Sequence, residues 1–347
     1  MRVGFDCSPL VRPHPAGIVR VVRETVEAIE ARGVIELVRL APTPGEKSAR
    51  WRQRTLPRLV NERELRGVHS FLSAFPLLGS GLRVQTIHEL PWRHGVRENA
   101  GARHRLWAAL GPLRADRVLT STEFVARKLR RRRLPGGDRV RVCPWGVGPP
   151  FAPEPPGGVV DEAVLHRYRL PEDALVTCPG AVRPKKNLAA LLRGVARLHE
   201  SRGDRVHVVV TGGPTAQLRR DLGLVSRLGL NRHVSTPGLL SDDEIAGLLR
   251  MSSAVSVLST SEGFGLPVLE ALACGAGVLV PHGSAQAEVA GEAGIEVEPS
   301  DPDSVAAGLR RALEERDLLR RARIERARGF SWERCAGAIE VLWEELA

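Results

Sequence analysis

Long apolar runs are missing from this 347-residue chain, and with them any segment able to cross a bilayer as a helix. The opening Met1-Arg2-Val3-Gly4-Phe5-Asp6 reads as a first strand and not as a leader peptide, so a cytoplasmic protein is expected. Cysteine is sparse. Cys7, Cys143, Cys178, Cys274 and Cys335 are odd in number and form no C-x-x-C pair, which favours free thiols over disulfides or zinc. Lysine is nearly absent too: Lys47, Lys128, Lys185 and Lys186 are all there is, so the net charge of +11 is carried by arginine. Aromatic residues make up 4%, too few to interleave with basic patches as a platform for stacked bases, so no nucleic acid partner is expected. No acidic metal motif stands out; Ser241-Asp242-Asp243-Glu244 reads as a helix N-cap with an acidic first turn.

What is present is an α/β pattern at a length that favours two domains. Short apolar strands alternate with amphipathic helical stretches, the mark of parallel sheets. Strands are expected at 2–6, 35–40, 84–88, 117–120 and 140–143, and again at 175–178, 206–210, 234–237, 255–258 and 277–280. After the first strand comes a loop with Pro13, Pro15 and Gly17. A helix follows, with Ile18, Val22, Val26 and Ile29 on one face and Gly33 closing it. Proline and glycine crowd residues 143–158, which reads as a linker. The expected domains are therefore 1–155 and 156–330. A last amphipathic helix over 331–347, through Trp332, Ile339, Leu342 and Trp343, packs on the second domain or crosses back to the first. Two doubly wound, Rossmann-like units would turn the carboxyl ends of their strands to a shared cleft.

The stretch Ser261-Glu262-Gly263-Phe264-Gly265-Leu266-Pro267-Val268-Leu269-Glu270 follows an expected strand. Pro267 suits the first turn of a helix, so Gly263 and Gly265 lie just before a helix N-terminus, where free amides and the dipole favour an anion. Two carboxylates there would repel a phosphate unless they serve something else. A carboxylate accepts sugar hydroxyls well. Of Glu262 and Glu270, one is placed for a transferred sugar and the other for a ribose, which describes a site for a nucleotide-diphosphate sugar.

The same residues, continued as SEGFGLPVLEALACGAGVLVP, resemble the most characteristic motif of the family 4 glycosyltransferases, retaining enzymes of the GT-B fold. The resemblance implies that Glu262 contacts the donor sugar, Glu270 the ribose, and the Gly263-Phe264-Gly265 amides the diphosphate. CPGAVRPKKNLAALL resembles the family's diphosphate-binding strand-loop-helix and implies that role for Lys186. Many members carry an arginine five or six residues earlier; Gly180 and Ala181 stand there, and Arg183 is the nearby substitute. STPGLLSDDE resembles the segment that meets the base, around Leu239 and Leu240. GSAQAEVAG departs from the family's usual loop at Gln286 and Ala287 and keeps Glu288. In the first half, TIHEL resembles a segment whose histidine, here His88, contacts the sugar. RPHPAGIVRVV resembles the glycine loop beside the diphosphate, with Gly17 as its close-approach residue.

The resemblance implies hexose transfer from a nucleotide sugar, GDP-mannose being modestly favoured, to a glycan, lipid-linked or small-molecule hydroxyl. No metal or other cofactor is expected, because cations and amides can neutralise the diphosphate. A sugar-nucleotide epimerase of the same fold and a non-catalytic sugar-nucleotide-binding protein are the alternatives. Two basic runs in the first half, Lys47 to Arg66 with Trp51 among them and Arg127 to Arg133, add an anionic membrane surface as an expected peripheral partner.

Overall fold

The computed structural model describes residues 1–90, 101–130, 137–155, 161–171, 174–202 and 205–346. They divide into two compact units: Met1–Gly146 with Phe330–Ala347, and Val147–Gly329.

The first unit is built on a six-stranded, all-parallel sheet of order β2-β1-β3-β4-β5-β6. Its strands are β1 (Arg2–Asp6), β2 (Glu36–Leu40), β3 (Gly67–Ser70), β4 (Leu82–Thr86), β5 (Arg117–Thr120) and β6 (Val140–Val142). Four of the five expected strands fall where the apolar runs lie, to within a residue or so at their ends. The other, 84–88, is displaced: β4 ends at Thr86, so His88 follows the strand by two residues. β3 was not expected, because Gly-Val-His-Ser carries no apolar run. Its glycine is required by close strand contact: a Cβ on Gly67 would stand 2.1 Å from the Leu82 carbonyl oxygen.

The helix Ala16–Arg32 buries Val22, Val26 and Ile29 completely, and Gly33 ends it in the left-handed region (φ 65°) with its N–H on the Ile29 carbonyl. The helix begins earlier than the apolar face suggests, so Gly17 sits in its exposed first turn and not in a loop. Against this helix packs the last one, Trp332–Glu344. Arg32 Nε donates to the buried Glu340 carboxylate at 2.7 Å, and Ile339 and Trp343 are fully covered. The C-terminal helix thus belongs to the first unit.

The second unit holds β7 (Leu175–Cys178), β8 (His207–Thr211), β9 (Val234–Gly238), β10 (Ala254–Ser256), β11 (Val278–Pro281) and β12 (Ile295–Val297). All are parallel, in the order β12-β11-β10-β7-β8-β9. Every residue of β7 and β8 is buried, as a sheet covered by helices on both faces demands. β12 is short and alternating and was not expected.

The unit boundary lies at 146/147, earlier than the 155/156 of the sequence expectation. Arg250 explains the difference. Its guanidinium donates to the carbonyls of Pro150 (3.4 Å) and Ala152 (3.2 Å) while holding Asp161, and Arg320 donates to Pro153 O at 2.9 Å. The proline-rich stretch is stitched to the second unit as part of its surface. The five cysteines are free thiols, all buried.

Candidate functional site

In the second unit the chain winds one way from β7 to β9 and the other way through β10 to β12, so the direction reverses between β7 and β10. Loops leaving two such neighbours diverge and leave a crevice at their carboxyl ends, where open α/β sheets bind ligands. The loop after β7 carries Arg183, Lys185 and Lys186; the loop after β10 carries Glu262 to Gly265. The sheet itself therefore brings the two motifs together.

The geometry there is tight. Lys186 Nζ lies 3.2 Å from Glu262 Oε1 and Lys185 Nζ lies 3.5 Å from Glu262 Oε2. The backbones are tied as well: the Thr260 N–H donates to Lys185 O at 2.8 Å, and the Gln286 side-chain amide donates to Ser259 O at 3.0 Å. Gln286, a departure from the family pattern, is thus a brace for the loop. Pro184 to Lys186 form a single 3-10 turn, closed by Asn187 in the left-handed region (φ 55°). Burial alone would push the Glu262 carboxyl up, but the two ammonium groups outweigh it and hold it below the usual carboxylate range. The trio carries one positive charge in excess.

Directly beyond it, Gly265 adopts φ 95° and opens the helix Leu266–Ala273, with Pro267 in its first turn. The helix begins where the proline indicates. Its amino end adds the positive pole of the dipole beside the lysines. Glu270 lies one turn in, buried at 7% exposure, and Phe264 is buried beneath the loop. Ser261 presents a buried hydroxyl with no hydrogen-bond partner among the described residues.

The neighbouring loops are also set by glycines. Gly180 (φ 86°) donates to Thr211 Oγ1 at 2.9 Å, and Gly212 (φ 102°) donates to Gly238 O at 2.7 Å. Leu239, just past β9, is 80% exposed, while Leu240 packs on the cluster of Val164, Leu175 and Leu248. A leucine that exposed at the carboxyl edge of a sheet offers a face to a flat apolar ligand. The helix Asp242–Met251 starts with the expected cap: Ser241 and Glu244 form a reciprocal capping box. The chain's single Asp-x-Asp, Asp301-Pro302-Asp303, is committed to a helix cap and to Arg197.

The first unit places its candidates separately. His88 Nε2 donates to the Phe71 carbonyl at 2.7 Å, and its ring lies 5.6 Å from that of Trp145. The structure therefore gives this histidine an orienting partner after β4. Pro91 to Gly95, the rest of that motif, and Arg131 to Arg133 lie outside the described residues. Trp51 is not available to a membrane: it is 1% exposed, and its indole N–H donates to Asp6 at 3.0 Å. Sequence reasoning named Lys186 and missed Lys185, although the adjacent pair in so lysine-poor a chain was the available signal.

Two parallel, doubly wound units, one carrying a cationic crevice at its switch point, define a GT-B fold. Residues 166–330 match the family described as Glycosyl transferases group 1, so the second unit is a group 1 glycosyltransferase domain. Among curated proteins, O-antigen chain mannosyltransferase B of Escherichia coli is 26% identical over 224 residues, 64% of this chain and 58% of that protein. The chain thus spans well under two thirds of that relative's length. Among solved structures, a sucrose-phosphate synthase of Thermosynechococcus elongatus superposes with a TM-score of 0.78 at 19% identity, covering 99% of this chain and 98% of that one. Anabaena Alr3699/HepE in complex with UDP and glucose gives 0.75 at 14% identity, with 99% of each chain covered. At these identities the structural likeness speaks for the fold.

Proposed function

We propose that this chain is a retaining glycosyltransferase that moves a hexose from a nucleotide-diphosphate sugar, with GDP-mannose modestly favoured, to a glycan, lipid-linked or small-molecule hydroxyl. The observation that carries the reading is the cluster of Lys185, Lys186 and Glu262 at the switch point of the second unit. The group 1 domain supports the reaction class, and the mannosyltransferase relative supports the sugar.

In this reading Lys186, Arg183 and the amides of Gly263 to Gly265 take the diphosphate, Glu270 the ribose, and Leu239 with Leu240 the base. Glu262 and His88 address the transferred sugar. Gly17, at the amino end of its helix, contributes its backbone N–H toward the phosphates. The acceptor oxygen attacks the anomeric carbon on the face from which the diphosphate departs, and the leaving phosphate takes the acceptor's proton. The protein then works by positioning and by stabilising charge on the leaving group, with no metal in the cycle.

The acceptor side falls to the first unit, and an anionic membrane surface is a fitting peripheral partner. There the helical segment from Ser48 to Glu62 exposes Arg50, Arg54 and Arg58, four residues apart along one face, with Lys47 before them. No helix among the described residues is long and apolar enough to cross a membrane.

A thermal-shift screen of nucleotide sugars, followed by donor hydrolysis on each hit, tests the proposal. Release of nucleoside diphosphate and a free α-configured sugar is expected. An epimerised nucleotide sugar formed without acceptor, or tight binding with no turnover, would replace the reading with the corresponding alternative.

A further inference from the structure

In the structure one carboxylate holds both ammonium groups of the diphosphate pocket. We propose that Glu262 is the resident counter-ion of that pocket: an arriving diphosphate displaces it from Lys185 and Lys186, and only then is the carboxylate released to accept hydroxyls of the transferred sugar. Lys185 is in this scheme a further diphosphate cation, beside Lys186 and Arg183. The inference rests on the donor-site reading above.

Burial sets Lys185 apart from Arg183. The Lys185 side chain is 6% exposed, and its ammonium lies 3.5 Å from Glu262 Oε2. Arg183 is half-buried, on extended backbone (φ −121°) at the head of the turn. A buried ammonium needs an anion close by in every state of the protein, or desolvation expels its proton. Glu262 supplies that anion before the donor arrives, and a diphosphate supplies it afterwards.

A purely bracing role for the ion pairs is superfluous. The two loops are already joined by the Thr260-to-Lys185 backbone bond, and Gln286, in the helix Ala285–Ala290, braces the second of them through Ser259 O. Glu262 is followed at once by Gly263, and Gly265 lies two residues further, so its side chain can turn away without moving the helix. The exchange also orders the reaction: the sugar-binding carboxylate becomes available only when the diphosphate is seated.

Calorimetric titration with inorganic pyrophosphate and with each common nucleoside diphosphate tests this. Glu262→Gln removes the competing anion and is expected to bind these diphosphates tighter than wild type, by about threefold or more, while hydrolysing nucleotide sugar more slowly. Lys185→Ala is expected to bind them about tenfold more weakly, and Lys185→Arg within about threefold of wild type. Melting curves check that each variant is folded, and Glu262→Ala serves if the glutamine variant is not. Weaker diphosphate binding by a folded Glu262 variant overturns the exchange and leaves the donor site standing. Unchanged binding by folded Lys185→Ala removes Lys185 from the pocket. If wild type itself binds no diphosphate, the donor-site reading falls and this inference with it.

Discussion

Replacing Arg250 by methionine isolates the contact that decides where the second unit begins. Its guanidinium meets Asp161 through two bonds of 2.7 Å each, and it also donates to Pro150 O and Ala152 O. The Arg250 side chain is 7% exposed and that of Asp161 19%. Methionine keeps the apolar stem and its packing while deleting the charge and all four donated bonds. Removing one member of a buried ion pair costs about 3–5 kcal/mol, because the other charge is left uncompensated. Asp161 retains enough exposure to hydrate in part, which places the loss near the lower bound, at about 3 kcal/mol. For a unit of this size each kcal/mol moves the midpoint by about 2–4 °C, so the melting transition of the second unit is expected to fall by about 6–12 °C. Scanning calorimetry reads it directly. Asp161→Asn should fall by a similar amount, and the double variant by less than the sum, because both changes remove one interaction. A shift below about 2 °C in Arg250→Met, or full additivity in the double variant, would refute the reasoning.

Four further outcomes are expected. Lys186→Ala should lower sugar transfer at least about tenfold, or about 1.4 kcal/mol of transition-state stabilisation, with the melting curve preserved; near-wild-type turnover removes it from the site. Transfer should survive EDTA, and strict dependence on an added divalent ion would contradict a metal-free cycle. Burial raises the Asp6 carboxyl above its usual range against the hydrogen bonds from Ser8 and Trp51, and its Oδ2 has no partner among the described residues. A raised folded pKa gives stability that is present below the unfolded value and lost as pH rises through the folded one. Asp6→Asn should therefore gain stability relative to wild type as pH is raised from 4 to 8, and a difference independent of pH would count against the buried charge. Finally, the protein should sediment with anionic vesicles at low salt and not at high salt, and a variant with Arg50, Arg54 and Arg58 changed to glutamine should lose most of that binding. Equal partitioning to neutral vesicles would discard the membrane surface.

Which features were legible follows from the range of the forces behind them. Period, glycine and proline act locally. Hence the runs at Leu175–Cys178 and Arg117–Thr120 are strands, Gly33 ends its helix, Gly265 turns the chain at φ 95°, and Leu266–Ala273 starts beside Pro267. The candidate donor residues came from the same local grammar of strand, glycine loop and helix. β3 had no such signal. Gly-Val-His-Ser becomes a strand because β1 and β4 pair with it on both sides, and Gly67 is chosen by the Leu82 carbonyl, which lies elsewhere in the sequence. Lys185 looked like a neighbour of the important lysine until the switch point between β7 and β10 set it against Glu262. Trp51 read as a membrane-facing aromatic within a basic run, and tertiary packing gave its indole to Asp6 instead. The sequence by itself determined the two alternating α/β halves, the loop chemistry and the charge of the pocket, because each rests on residues close together in the chain. Only the tertiary structure decided the unit boundary, the home of the C-terminal helix and the pairing within the pocket, because Arg250 with the proline stretch, Glu340 with Arg32 and Glu262 with two lysines each join residues far apart in sequence.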